Sequence, residues 1–300
     1  MIPVSLNKTL SVTESAFGTC GELVQGCIDG QNFMITFPVS LHSHVEATFI
    51  SGGEIIISPS YKKKAAKAAE ILLSYLKELG LIDKDLGVSL NIESDLIEGK
   101  GMASSSADIV AVCRAVSKLC NYPITPWQIS KISVSIEPSD GVMYESSVVY
   151  DFFEGKLLQE IGPIMPMSLV AIDFGGTVDT VEFKRIPYTQ EEEKQIFKAY
   201  HLAIRGIKSR DIQLLGEATT ISALINQRRH YKKELNNIIN LIPELEAYGV
   251  AVAHSGSIIS LLFDFKNYAK IELAKSKLED LFPKAIIQEF NVLSKESLTK

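Results

Sequence analysis

Apolar residues along the chain alternate between a two-residue and a helical period, and each change of period marks an element. "CIDGQNFMITF" places Phe33, Ile35 and Phe37 on one face after an Asp29-Gly30 dipeptide, which predicts a tight hairpin. "HVEATFI", a Gly52-Gly53 break and "EIIIS" predict another pair of strands. From Tyr61 to Leu79 the period becomes helical: Ala65, Ala68, Leu72, Leu76 and Leu79 share a face, and Gly80 supplies the stop. "VSLNIES" alternates again and leads into "EGKGMASSSADI". Beyond it Ile109, Val112, Cys113, Val116 and Leu119 recur at helical spacing, a helix that any of Ser104, Ser105 and Ser106 can cap. A short helix is expected over Trp127 to Val134, with Trp127 as a packing residue, and then strand, turn and strand across "SSVVYDFFEGKLLQ".

The second half reads as a strand, "MSLVAID", then helical segments over 191–205, 211–226 and 232–248. Two strands, "VAVAH" and "SIISLLFDF", flank "SGS"; a helix over "NYAKIELAKSKLEDLF" and a strand "KAIIQEFNV" close the chain. With an enlarged helical insert this is β–α–β–β–α–β, the split βαβ arrangement. Gly and Pro cluster between Gly155 and Pro166, which predicts two domains, 1–160 and 161–300.

Composition narrows the function. Hydrophobic residues make up 46% of 300, enough for well-formed cores, and the net charge of −6 supplies no global field for nucleic acid. Four cysteines without a CxxC pair read as free thiols in a reducing compartment. No apolar run is long enough to span a bilayer, and the first residues carry no secretory pattern, so a soluble cytoplasmic protein is expected, with no nucleic acid or membrane partner. Monomer and homodimer both remain open.

Four short stretches carry chemistry. In "EGKGMASSSADI", glycines allow a backbone to approach phosphate oxygens, serine hydroxyls can donate to them or ligate a metal, and a helix N-terminus adds unpaired N–H groups. The segment has neither the Walker A nor the dinucleotide pattern, so phosphate binding and simple capping weigh equally on local grounds. "SIEPSDGVMY" sets Glu137 and Asp140 three apart, able to hold magnesium and to accept a proton, or to form a solvated turn. Oxygen donors without a soft cluster favour Mg²⁺. "AHSGSII" can present N–H groups to an anion or make a plain hairpin, and "FGTCGELVQG" offers Glu22 and Gln25 to a polar substrate from a glycine-loosened backbone. "HSH" at 42–44 is too sparse for a metal site, Lys62–Lys64 reads as a solvated helix start, and Asp173 and Asp179 flank glycines that fit a site loop or an ordinary turn.

Together these stretches resemble the GHMP kinase superfamily of galacto-, homoserine, mevalonate and phosphomevalonate kinases. "EGKGMASSSAD" is similar to its phosphate loop, P-x-x-x-G-L-G-S-S-A-A, with Met102 in the leucine position and Leu96 or Ile97 in place of the proline. "FGTCGELVQG" resembles the N-terminal motif and "AHSGSIIS" the C-terminal glycine motif, so the match spans nearly the whole chain. The resemblance implies an α+β, two-domain GHMP kinase fold, N-terminal like ribosomal protein S5 domain 2 and C-terminal ferredoxin-like. Within the superfamily, "GTCGELVQG", "KGMASSSADI", "SIEPSD", "LLGEATTIS" and "VAHSGS" are most similar to the L-threonine kinases of cobalamin biosynthesis and propanediol utilisation. Those enzymes phosphorylate free L-threonine to O-phospho-L-threonine, a source of the cobalamin aminopropanol linker.

By that resemblance ATP and Mg²⁺ are the cofactors. Gly99, Lys100, Gly101, Met102, Ala103, Ser104, Ser105 and Ser106 wrap the phosphates, and Ser105 and Glu137 hold the metal. Asp140 matches the residue that orients or deprotonates the acceptor hydroxyl, although its spacing from Glu137 is shorter than in members with a remote metal glutamate. Asp108 is assigned a structural or helix-dipole role, and Glu217 the capping of a helix turn rather than a place lining the cleft. Glu22, Gln25, Asp140, Ser255, Gly256 and Ser257 are expected to contact L-threonine or a similar small hydroxy amino acid. The alternatives are a related kinase acting on L-serine, homoserine or another small alcohol, and a nucleotide-binding protein without catalysis.

Overall fold

The computed structural model describes residues 11–176 and 186–294; Asp179 lies outside them. Ten strands among the described residues form one continuous sheet, with seven helices against it. The first half contributes β1 (Ser11–Ile28), β2 (Gln31–Ser51), β3 (Ile55–Ser58), α1 (Lys63–Glu78), β4 (Leu86–Ser94), α2 (Ser104–Leu119), α3 (Pro126–Ile136), β5 (Ser147–Asp151) and β6 (Lys156–Gly162). The second half contributes β7 (Ser168–Asp173), α4 (Gln190–Ser209), α5 (Ile212–Asn226), α6 (Leu235–Leu245), β8 (Gly249–Val252), β9 (Ile259–Phe263), α7 (Tyr268–Leu281) and β10 (Ile286–Asn291). β6 ends at Gly162, beside the expected division.

Two long strands dominate the first half. The hairpin at Asp29-Gly30 forms as expected, both residues taking positive φ (50° and 77°), which a two-residue turn between twisted strands requires. The reading of separate strands before Gly52 merges into β2, and β3 pairs in parallel with β4 rather than with β2. The glycine-loosened "FGTCGELVQG" is part of a strand. It lies inside β1, whose register against β2 shifts three times between Phe17 and Val24. Such bulges bend a strand and re-aim its side chains, which is why glycines recur there.

The second half carries the sheet order β10-β7-β9-β8 with all neighbours antiparallel, the order that a split βαβ unit produces. Its period of two divides each strand between two cores. Leu169 and Ala171 of β7 face the large core shared with the first half; Val170 and Ile172 face a smaller one with Leu235, Ile238, Ile271 and Leu278 of α6 and α7. α4 and α5 bring Ile196, Ala199, Ala203, Leu215 and Ala218 into the large core. Among the described residues, strand pairing joins the halves at a single ladder pair, Glu22 of β1 opposite Val252 of β8, backed by a bridge between Val39 and Val292.

α2 is buried along nearly its whole length, as a helix wedged between layers must be. Three expectations fail locally. Ala103, not a serine, is its N-cap, and no side chain caps it. Trp127, the second residue of α3, lies on the solvent side at 60% exposure beside the capping box of Thr125 and Gln128. Lys62 is not solvated: its ammonium meets Asp108 at 2.6 Å, and Asp108 also accepts from Ser43 at 2.6 Å, which gives Asp108 its structural role. No described helix is long and apolar enough to cross a membrane.

Candidate active site

The loop before α2 alternates backbone hand. Gly99, Gly101 and Ala103 take φ of 71°, 82° and 54°, every second residue in the left-handed region. Such alternation turns successive N–H groups towards one side and forms a concave anion-binding nest. Aligned with Met102 on the leucine of the pattern above, Ala103 occupies the position of its second glycine, so a residue with a Cβ here bears a conformation glycine adopts freely. The first helical bond of α2 runs from the Ala107 N–H to Ala103, so the N–H groups of Ser104, Ser105 and Ser106 precede the ladder. The serines therefore occupy the first turn, where dipole and unpaired donors favour an anion.

Their hydroxyls divide the work. Ser105 donates to Glu137 Oε1, and Ser106 donates to Asp140 Oδ2 at 3.1 Å. Ser139 Oγ and the Asp140 N–H both reach Ser106 Oγ, at 3.1 and 3.2 Å, so the turn after α3 is fastened to the start of α2. Ser104 Oγ is buried and has no partner, an expensive state that a ligand oxygen would relieve. Glu137 also takes the ammonium of Lys64, a residue that no motif flagged. The loss of water around Asp140 lifts its carboxyl to about 6 against the Ser106 hydrogen bond, and the neighbouring Glu137 adds to the rise.

The bulged stretch of β1 brings a second acid to this cluster. Glu22 is 3% exposed, and burial, reinforced by Asp140, drives its carboxyl well above the usual range. The His254 N–H bonds it, yet Oε2 has no partner. Gln25, 1% exposed, meets His254 Nδ1 through Oε1 and leaves Nε2 unpartnered. α5 fixes both from below: Thr219 Oγ1 donates to the Glu22 carbonyl at 3.1 Å, and Asn226 Nδ2 to the Gln25 carbonyl at 3.0 Å.

The fourth motif closes the site from the second half. A Cβ on Gly101 would overlap the Ser255 carbonyl, and one on Gly256 would overlap the backbone of Lys100 and Gly101. The two glycine loops are thus packed backbone to backbone, an approach that side chains forbid. Thr19 N–H donates to the Met102 carbonyl at 3.0 Å, joining the first motif to the same loop. Asp173, at the end of β7, fastens the arrangement. It accepts Ser257 Oγ at 2.7 Å, the Gly175 N–H at 2.9 Å and Lys100 Nζ at 2.8 Å. Burial acts upward on this carboxyl, but those donors outweigh it and hold it below its ordinary value.

All four motifs therefore meet at one place. Lys100 and Ser257 arrive there already bound to Asp173. Glu217 does not belong to the cluster and pairs with Lys198 at 2.8 Å on the surface. Lys64 joins it without a sequence signal, since it lies outside the glycine- and acid-marked stretches, whereas Ser139 lies within one of them, between Glu137 and Asp140.

Comparison with known proteins gives this convergence a name. The GHMP kinases N terminal domain matches residues 63–145 and the GHMP kinases C terminal domain matches 203–284, together more than half of the chain. The chain belongs to the GHMP kinase superfamily. As a GHMP kinase it is an ATP-dependent phosphotransferase acting on a small molecule. An L-threonine kinase of Salmonella typhimurium is 28% identical over 275 residues, covering 89% of each chain. The crystal structure of L. major mevalonate kinase superposes with a TM-score of 0.72 at 17% identity over 98% of this chain and 99% of that one. A homoserine kinase from Cytophaga hutchinsonii gives 0.72 at 14% identity, over 98% of both. At such identities the two structures establish the shared fold.

Proposed function

We propose that this GHMP kinase is an L-threonine kinase, transferring the γ-phosphoryl group of ATP to the hydroxyl of free L-threonine to give O-phospho-L-threonine. What carries the acceptor assignment is the similarity, along nearly the whole of both chains, to a protein named L-threonine kinase. In this reading 1–160 is the ATP-binding domain, like ribosomal protein S5 domain 2, and 161–300 the ferredoxin-like partner. The division is supported by the sheet order of the second half.

The residues present suit the reaction. Gly99 to Ser106 offer a nest and a free helix N-terminus to the phosphates of ATP. Ser105 and Glu137 already touch and supply hard oxygen donors, while no group of three or more His, Cys, Asp or Glu stands ready for a metal among the described residues. A site with so few protein ligands fits Mg²⁺, which keeps water and phosphate oxygens in its shell. When bound there, magnesium neutralises charge on the transferring phosphoryl group.

The protein's own part is positioning and proton transfer. The threonine hydroxyl oxygen forms the new bond to phosphorus, the bond from that phosphorus to the ADP oxygen breaks, and the hydroxyl proton passes to Asp140. Asp140 suits that task because its raised carboxyl is still ionised at neutral pH yet more basic than an ordinary aspartate. Glu22 and Gln25 present unpartnered polar atoms that suit the amino acid's ammonium and carboxylate ends. Purified protein given MgATP and L-threonine, L-serine, homoserine or mevalonate tests the reading. O-phospho-L-threonine is expected as the product of highest kcat/KM, and an inactive threonine beside an active competitor overturns it.

A further inference from the structure

Among the described residues, one ammonium group is buried without a carboxylate partner. Lys232 lies between α5 and α6 and is 7% exposed. Its Nζ donates to the Gly256 carbonyl, and among the described residues no ion pair to an acid accompanies that bond. The residue is not casually placed. The Gln227 side chain grips its backbone at both groups, with Nε2 donating to the Lys232 carbonyl at 2.8 Å and Oε1 accepting from its N–H at 2.6 Å. The same loop is tied to the site through Asn226, which accepts the His230 N–H at 2.7 Å and donates to the Gln25 carbonyl.

What surrounds this ammonium cannot neutralise it. His230 and His254 lie ring to ring, 4.4 Å between centroids, and burial keeps both neutral to well below their ordinary range; the charge of Lys232 adds to the effect on each, and His254 and Arg229 add to that on His230. Burial likewise lowers Lys232 to about 8, so at neutral pH it still carries most of its charge. A buried, unpaired cation is costly unless an anion arrives to share the site. Next to it, through His254, lies Gln25 with an unpartnered Nε2, and beyond that Glu22 with an unpartnered Oε2. Lys232, Gln25 and Glu22 are thus gathered around His254, two donors and one acid.

We propose that Lys232 is the specificity-determining residue for the acceptor's α-carboxylate, with Gln25 Nε2 as its second donor and Glu22 facing the α-ammonium. The inference rests on the amino-acid-kinase reading and sharpens it, since it makes the zwitterion, and not only the hydroxyl, the feature recognised. It brings a residue of the α5–α6 loop into a site otherwise built from glycine and acid motifs.

The test compares L-threonine with L-threonine amide, which keeps the hydroxyl and amine and lacks the carboxylate charge, in wild type, Lys232→Met and Lys232→Gln. Both variants should lose about 100-fold in kcat/KM for L-threonine, as removal of one partner of a buried charge pair does. The amide should change less than about threefold, KM for ATP less than about twofold, and Tm should hold or rise once an unpaired buried charge is gone. Equal losses for threonine and its amide, or a raised KM for ATP alone, would overturn the proposal, the latter by assigning Lys232 to phosphate. A fall in Tm with all substrates affected alike would reduce it to a structural strut. If wild type instead phosphorylates homoserine or mevalonate, that acceptor and its amide enter the same comparison. The threonine reading then fails while Lys232 is still tested, and an acceptor without a carboxylate refutes both.

Discussion

Two acids share one water-poor corner of the site, and neither can ionise without cost to the other. Glu22 is fully enclosed and pushed well above its ordinary range by burial and by Asp140, whereas Asp140 stops at about 6 because Ser106 donates to it. The sign of the consequence is definite. A proton acceptor must be ionised, so kcat/KM should climb as pH rises through about 6 and level off above it. Stability runs the other way: the folded state holds the Asp140 proton more tightly than the unfolded chain, so stability falls as pH rises from the usual aspartate range to about 6. Asp140→Asn should accordingly cost at least about 100-fold in kcat while gaining stability at neutral pH. A profile of kcat/KM against pH that stays flat from 5 to 7.5, or near-normal turnover in the variant, contradicts the assignment. Asp140, Glu137 and Ser105 were legible in the sequence because glycine, proline and serine marked their turns. Lys64 and Lys232 were not, since a lysine carries no sign of which distant carboxylate or carbonyl it will meet.

At the scale of elements, the phosphate loop is only as well placed as the helix it opens. α2 is pinned near its start by Asp108, whose carboxylate takes the Lys62 ammonium from the segment leading into α1 and the Ser43 hydroxyl from β2. Burial raises this carboxyl despite both partners, a sign that the pair is held in a dry place. Lys62→Met leaves Asp108 buried with a single neutral donor and should lower stability by about 3 kcal/mol, read as a fall in the urea midpoint. Adding Asp108→Leu should recover most of it; a single variant as stable as wild type shows that the ion pair does not anchor the helix. The element order was legible from periodicity alone, including the hairpin at Asp29-Gly30 and the strand and helix succession of the second half. The bulged course of β1 was not. Glycines at 18, 21 and 26 mark a loosened backbone, but bulges and turns use the same residue, and only the pairing of β1 with β2 separates them. Serine caps failed for a related reason: Ser104 to Ser106 have the chemistry of an N-cap, but left-handed Ala103 starts the helix one residue earlier.

For the molecule as a whole, the two halves meet where the chemistry is. One ladder pair at Glu22 joins the sheets, the Gly101 and Gly256 loops pack against each other, and Asp173 of the second half holds Lys100 of the first. Asp173→Asn weakens the hold on both Lys100 and Ser257 and should raise KM for ATP roughly tenfold, the equivalent of one or two charge-assisted hydrogen bonds. Titration with ATP at saturating acceptor checks this, and an unchanged or lower KM means that the clamp does not order the phosphate loop. The most direct test of the whole account is the product itself. With MgATP, purified protein is expected to convert L-threonine to O-phospho-L-threonine, resolved by mass and ³¹P NMR, at a higher kcat/KM than L-serine, homoserine or mevalonate. No phosphothreonine, beside efficient phosphorylation of one of those competitors, would contradict it.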